Sequence, residues 1–149
     1  MILHLTQKQA TTEDFNQIQE ISDESFEGVE RPPIGILWTH FLTDDVFVSR
    51  STGSESTITA FAIVTDRVGG PYIWSIATHP GLRGCGLGTK LLREIEEHYR
   101  LAGCQSISLT CKPTNPAQKL YFDRGYRVEN VIRGYYGSEG NGLFFRRVL

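Results

Sequence analysis

Residues 74–92 read Trp-Ser-Ile-Ala-Thr-His-Pro-Gly-Leu-Arg-Gly-Cys-Gly-Leu-Gly-Thr-Lys-Leu-Leu. Trp74, Ile76 and Thr78 alternate as in a strand, and His79-Pro80 ends that pattern. Gly81, Gly84, Gly86 and Gly88 then make a turn that runs straight into Leu87, Leu91, Leu92, Ile95 and Tyr99, one apolar face at helical spacing. Strand, glycine turn and helix in this order bring together bare backbone, the unpaired N–H groups of a helix start and the positive end of the helix dipole. Such a point binds phosphate or pyrophosphate. The turn lacks the Gly-Lys-Ser/Thr of a P-loop, and it does not follow a first strand as a dinucleotide fingerprint does.

Tyr72–Thr78 is the strand that delivers the chain to the turn, and Gly103 stands where the following helix should stop. Ile107, Leu109 and Cys111 alternate strictly, which predicts a strand at 106–111, and Pro116 is suited to the first position of a helix over 116–124 ended by Gly125. A strand–helix–strand unit around the turn implies a parallel pair at the sheet centre. Upstream, Met1–Gln9 reads as a strand, and Thr11-Thr12-Glu13-Asp14 as the capped start of a helix that runs to about Phe26. Residues 27–35 form a Pro/Gly loop, Ile34–Leu42 a short helix, and Asp45–Ser51 with Thr57–Thr65 a hairpin. Tyr126–Val131 and Leu143–Val148 are the last two strands, flanking a turn at 137–142, and Arg146-Arg147 reads as a solvated edge. The order predicts an α/β fold with a mixed sheet and helices on both faces, in one domain spanning 1–149.

Composition narrows the class. At 149 residues the chain buries enough surface to fold without disulfides or metal. A net charge of −2 offers no basic face to nucleic acid. Three cysteines cannot all pair, which points to a reducing compartment, and no apolar run approaches a membrane span, so the expectation is a cytoplasmic protein without membrane partners. Four histidines without metal-ligand spacing predict no metal site.

Two segments carry a resemblance. Arg83-x-x-Gly86-x-Gly88 resembles the (Gln/Arg)-x-x-Gly-x-(Gly/Ala) motif of the GNAT superfamily of N-acetyltransferases. One strand later, Asn115-Pro-Ala117-Gln-Lys-Leu120-Tyr121-Phe-Asp-Arg-Gly125-Tyr126 resembles that family's Asn-x-x-Ala-x-x-Leu-Tyr-x-x-x-Gly-Phe, with Tyr126 in place of Phe. Arg133-Gly-Tyr135-Tyr136 is similar to the tail of the Nα-acetyltransferase branch, which includes enzymes that modify ribosomal-protein N-termini.

The resemblance implies the acyl-CoA N-acyltransferase fold, its sheet splayed between the strands at 72–78 and 106–111 with acetyl-CoA in the opening. Backbone groups of Ile76, Ala77 and Thr78 would hold the pantetheine and acetyl carbonyl. The loop from Arg83 through Gly84, Cys85, Gly86, Leu87, Gly88 and Thr89 would hold the pyrophosphate, and Asn115 would bind the cosubstrate from the other side. Tyr121 would be the acid that protonates the departing thiolate, Tyr72 a base acting through water, and Tyr135 with Tyr136 the residues that meet the acceptor. At the strand position where the branch carries a Glu or His base stands Thr110, and Glu139-Gly-Asn-Gly replaces the acidic sequence that usually follows the tyrosine pair.

Without a strong base, an α-amine is the better acceptor. With pKa near ~8 it is about a tenth neutral at pH 7, whereas a lysine near ~10.4 is neutral in only about one part in a few thousand. The expected function is therefore transfer of acetyl from acetyl-CoA to the α-amine of a protein or peptide, by direct attack, in a monomer or homodimer. A peptide acceptor calls for an open groove between the loop at 27–35 and the turn at 137–142. The rival readings are an acetyltransferase for a small amine such as a polyamine, amino acid or aminoglycoside, with a closed pocket, and a non-catalytic acyl-CoA-binding module.

Overall fold

Seven strands form one mixed sheet in the computed structural model, which describes Met1–Leu149. The elements are β1 (Ile2–Leu5), α1 (Thr12–Ser25), α2 (Ile34–Thr43), β2 (Asp45–Arg50), β3 (Ile58–Arg67), β4 (Gly70–Thr78), α3 (Leu87–Leu101), β5 (Ser106–Cys111), α4 (Gln118–Asp123), β6 (Arg127–Ile132) and β7 (Gly142–Val148). The sheet order is β1-β2-β3-β4-β5-β7-β6, antiparallel throughout except between β4 and β5.

Each face is covered by the helix whose apolar stripe matches it. Leu91, Leu92, Ile95 and Tyr99 of α3 bury against Phe47, Ala62, Ile73, Ile107 and Phe145, and Tyr121 of α4 joins them. On the other face, Phe15, Ile18 and Ile21 of α1 and Leu37 and Phe41 of α2 meet Val46, Val48, Phe61 and Ile63. Thr11 and Asp14 close α1 with reciprocal hydrogen bonds between side chain and backbone of 3.1 and 3.0 Å.

Two features of β4 create the site. First, Val64 pairs with Ile73 but Ile63 with Ser75, so Trp74 is an extra residue, a bulge that bends the strand. Second, β4 and β5 pair only at Tyr72 with Ser108 and Ile73 with Leu109. Past Ile73 the two strands part, and the backbone groups of β4 on that side have no strand partner. The splayed sheet that the resemblance implies is present.

Several boundaries differ from the sequence reading. β1 ends at Leu5, because Gln9 turns back on Thr6 through backbone and side-chain bonds. The fourth helix begins at Gln118 rather than Pro116, since Asn115 Oδ1 accepts the N–H of Ala117 at 2.9 Å and holds the preceding residues in a turn. Arg146 and Arg147 do not guard an edge. β7 lies inside the sheet between β5 and β6, Arg146 pairs with Glu129, and Arg147 reaches Glu96, a carboxylate of α3 only 3% exposed that also receives Arg124 at 2.5 Å. This buried ion group ties α3, the end of α4 and β7 together.

Candidate active site

The parted strands open into a groove of about 670 Å³. One wall is Ile76, Ala77 and Thr78, the floor is Arg83, Gly84, Gly86, Leu87, Gly88 and Thr89, and the far wall is Asn115, Ala117, Leu120 and Tyr121. Gly84 and Gly86 have φ of +80° and +79°, and a Cβ at either would meet nothing within 4 Å. Glycine is needed there for backbone conformation alone, and the space beside the backbone stays open to a ligand. Gly86 is the N-cap of α3 and supplies no capping side chain, so the first amides of that helix are left for something else. The groove residues therefore fit an extended molecule that carries a pyrophosphate. Arg83 lends its guanidinium to the Ser25 hydroxyl at 3.1 Å on the groove's rim. Cys85 is the one loop residue from the expected set whose side chain lies elsewhere: it lines a separate cleft with Met1, Arg50 and Lys90.

A second cavity, of about 470 Å³, lies on the α1–α2 side of the same opening. Tyr72, Tyr135 and Tyr136 line it, with Phe26, Val29, Pro33, Ile36, Trp74, Leu109 and Thr110. Ile76, Asn115, Tyr121, Phe26 and Glu30 border both spaces, so the two meet where β4 leaves β5. The bulge residue Trp74 is held by His40 of α2, whose ring stacks on it with centroids 3.8 Å apart, and His40 is itself fixed by Asp44 at 2.5 Å.

Burial governs the proton chemistry. Tyr121 is 4% exposed, packs against Tyr126 and Phe145, and has its phenol pushed well above the ordinary value, first by desolvation and then by the Cys111 thiol and the Glu30 carboxylate nearby. It holds a proton at neutral pH and can donate it. Tyr72 is shifted upward mainly by burial too, and its hydroxyl lies 3.1 Å from that of Tyr135. Burial keeps its phenol protonated at neutral pH, and it shares a hydrogen bond with Tyr135. The Cys111 thiol is pushed up to about 12 by burial and by Glu30, so it stays protonated. Thr110 Oγ1 is buried, with the Tyr72 hydroxyl as its polar neighbour.

The sequence reading missed the polar group at the cavity's rim. Lys112 lies 2.7 Å from Glu139 and 3.2 Å from Glu30, and Glu139 also accepts the Val29 N–H at 2.9 Å. Gly28 permits this contact, since a Cβ there would sit 2.5 Å from Glu139 Oε2. The loop at 27–35 and the turn at 137–142 are therefore bridged, and the open groove expected between them is closed at this point. Single charged residues in two loops carry no periodic signal, so spacing could not reveal that they meet.

Comparison with known proteins agrees with this geometry. A family model described as the Acetyltransferase (GNAT) family matches residues 15–126. The L-2,4-diaminobutyric acid acetyltransferase of Virgibacillus pantothenticus is 27% identical over 106 residues, covering 69% of this chain and 67% of that protein. The ribosomal protein bS18-alanine N-acetyltransferase of Haemophilus influenzae is 28% identical over 85 residues, covering 57% and 58%. The crystal structure of the ribosomal-protein-S18-alanine N-acetyltransferase from Escherichia coli superposes with a TM-score of 0.80 at 19% identity, over 99% of this chain and 94% of that one, a likeness of fold. No helix of the chain is long and apolar enough to cross a membrane. With its glycine loop, its parted β4 and β5 and the family match on most of its length, this chain belongs to the GNAT family of acetyltransferases and uses acetyl-CoA as its cosubstrate.

Proposed function

We propose that the acceptor is the α-amine of a peptide or protein whose first side chain is apolar. The observation that carries this reading is the lining of the second cavity. It is aromatic and aliphatic, and its one carboxylate, Glu30, is already paired with Lys112. A polyamine or aminoglycoside spreads several positive charges and needs several carboxylates, because a buried charge without a partner costs several kcal/mol. An amine on an apolar body asks for one polar contact and a greasy wall.

In this reading acetyl-CoA, when bound, supplies the activated acyl carbon. The amides from Gly84 to Thr89 hold its pyrophosphate, and Cys85 takes part through its backbone only. The unpaired backbone of β4 at Ile76–Thr78 orients the thioester and faces its carbonyl oxygen, with a preorganised N–H worth roughly 3 kcal/mol to the developing negative charge. Asn115 stands on the opposite wall, Tyr121 donates its proton to the departing sulfur, and Tyr135 and Tyr136 receive the acceptor's first residue. The bS18-alanine enzyme among the relatives favours a protein α-amine.

The bridge between Val29 and Glu139 favours a second reading, a small monoamine with an apolar body, because it narrows the route to the cavity. CoA release is measured with two acceptor sets. One holds short peptides with free α-amines, blocked lysines and Ala, Met, Leu, Ser or Asp in first position; the other holds small amines. Turnover of peptides, best with Leu or Met first and poorest with Asp, is the expected result. Turnover of small monoamines alone replaces this reading with the second.

A further inference from the structure

We propose that Glu30 is the group that takes the proton from the acceptor amine, in place of the strand-borne base whose position Thr110 occupies. The inference rests on the amine-acetylating activity and not on which amine is used.

Tyr72, Tyr121 and Tyr136 are phenols that burial keeps protonated, the Cys111 thiol is held protonated as well, Thr110 does not titrate, and Lys112 is kept cationic chiefly by its bond to Glu139. Glu30 is the one carboxylate that lines both the cosubstrate groove and the acceptor cavity. It sits in the 3-10 turn Gly28–Glu30, which Glu139 pins through the Val29 N–H, so its position is fixed by backbone and not by a free loop. Its pairing with Lys112 does not disable it. Lys112 has Glu139 as a closer partner, so Glu30 can pick up a proton without leaving the ammonium uncompensated. Thr110 Oγ1, buried on the same cavity wall beside the Tyr72 hydroxyl, gives the amine or an intervening water a second polar contact.

The step balances. The amine lone pair forms the new C–N bond as the carbonyl π pair moves onto oxygen, and the surplus proton on nitrogen passes to the Glu30 carboxylate, directly or through one water. The oxygen pair re-forms the carbonyl, the C–S bond breaks, and sulfur takes the Tyr121 proton. Glu30 returns its proton to the Tyr121 oxygen through water. One amine and one acetyl thioester give one amide and one thiol.

The test uses the full chain as wild type, Glu30→Gln, Glu30→Asp and Thr110→Val, with the best acceptor from the screen, over pH 6 to 9.5. Expected for Glu30→Gln is a kcat lower by roughly 10²-fold, with acetyl-CoA affinity and melting temperature unchanged. Its rate should rise steadily with pH as solvent base takes over, where the wild type levels off. Glu30→Asp recovers part of the rate, and Thr110→Val costs less than Glu30→Gln. A Glu30→Gln enzyme within threefold of wild type with the same pH profile overturns the proposal. So does a loss of rate that travels with lost acetyl-CoA affinity or stability, which would make Glu30 a structural residue. Peptides that are not turned over while small amines are would refute the acceptor reading and leave the Glu30 comparison to be run on a small amine.

Discussion

Replacing Tyr121 with Phe removes one oxygen from the meeting point of the two spaces and leaves the ring where it is. The ring is 4% exposed, with Tyr126 and Phe145 at centroid distances of 6.0 and 5.9 Å, and phenylalanine keeps all of that packing. Stability should therefore change by no more than about 1 kcal/mol, a melting shift of a few degrees at most. The rate is another matter. A positioned general acid contributes roughly 10²–10⁴-fold, which at about 1.4 kcal/mol per tenfold is about 3–5 kcal/mol of barrier. Because Tyr121 is pushed above its ordinary value by burial, it remains protonated through and beyond the neutral range, so wild-type kcat should show no decline from loss of this acid below about pH 10. The assay is steady-state CoA release with acetyl-CoA affinity measured in parallel by calorimetry. The expected outcome is kcat down by at least 10²-fold, with the dissociation constant for acetyl-CoA within threefold of wild type. A variant whose kcat stays within threefold refutes the acid assignment and returns Tyr121 to the core. One that loses cosubstrate affinity in proportion to its rate refutes it as well, since the phenol would then be a binding group.

Three further outcomes are expected. Tyr72→Phe should leave kcat and its pH profile within about threefold and raise the acceptor KM by roughly fivefold, the worth of one lost hydrogen bond to Tyr135 at about 1 kcal/mol; a hundredfold loss in kcat would make Tyr72 part of the proton chemistry. Gly86→Ala, at φ +79° with open space around the new methyl, should cost about 1–2 kcal/mol of stability from backbone strain alone and weaken acetyl-CoA binding; unchanged affinity would place the pyrophosphate elsewhere. Finally, Tyr72, Tyr99, Tyr121 and Tyr126 are buried and all shifted upward, chiefly by desolvation. Above pH ~10 the unfolded chain loses these protons and the folded one keeps them, so stability falls with rising pH by about 1.4 kcal/mol per tyrosine per unit. Tyrosinate absorbance from these four should appear only as far-ultraviolet circular dichroism is lost, near pH ~11, and a rise ahead of unfolding larger than the two remaining tyrosines, Tyr135 and Tyr136, can supply would contradict the burial.

What could be read from the sequence is what repeats or what glycine and proline punctuate. The alternation at Ile107, Leu109 and Cys111, the stripe Leu91, Leu92, Ile95 and Tyr99, and the glycines at 84 and 86 each encode local geometry, and those elements stand where they were expected. The register of the sheet was less accessible. Nothing in Arg146-Arg147 says that β7 inserts between β5 and β6, because the pairing partners and the Glu96 carboxylate that Arg147 meets are far away in the chain. The bulge at Trp74 is invisible for a similar reason: two tertiary neighbours, β3 and the His40 ring, set it, and the strand pattern reads equally well with or without it. The rim formed by Glu30, Lys112 and Glu139 joins three loops whose approach depends on all the rest.

The two residue pairs that join β4 to β5 are the seam between two panels, β1–β4 and β5-β7-β6. From Ile73 to the end of β4 at Thr78 the strand extends about 17 Å, so a rotation of about 3° at the joint changes the width of the gap at its mouth by about 1 Å, twice the tolerance of roughly 0.5 Å that a catalytic constellation allows. The stiffness of that joint comes from α3, which lies across β1, β2, β3, β4 and β5 and so braces both panels. Side chains under that helix, far from any substrate atom, thereby set the aperture through which the reacting groups approach each other.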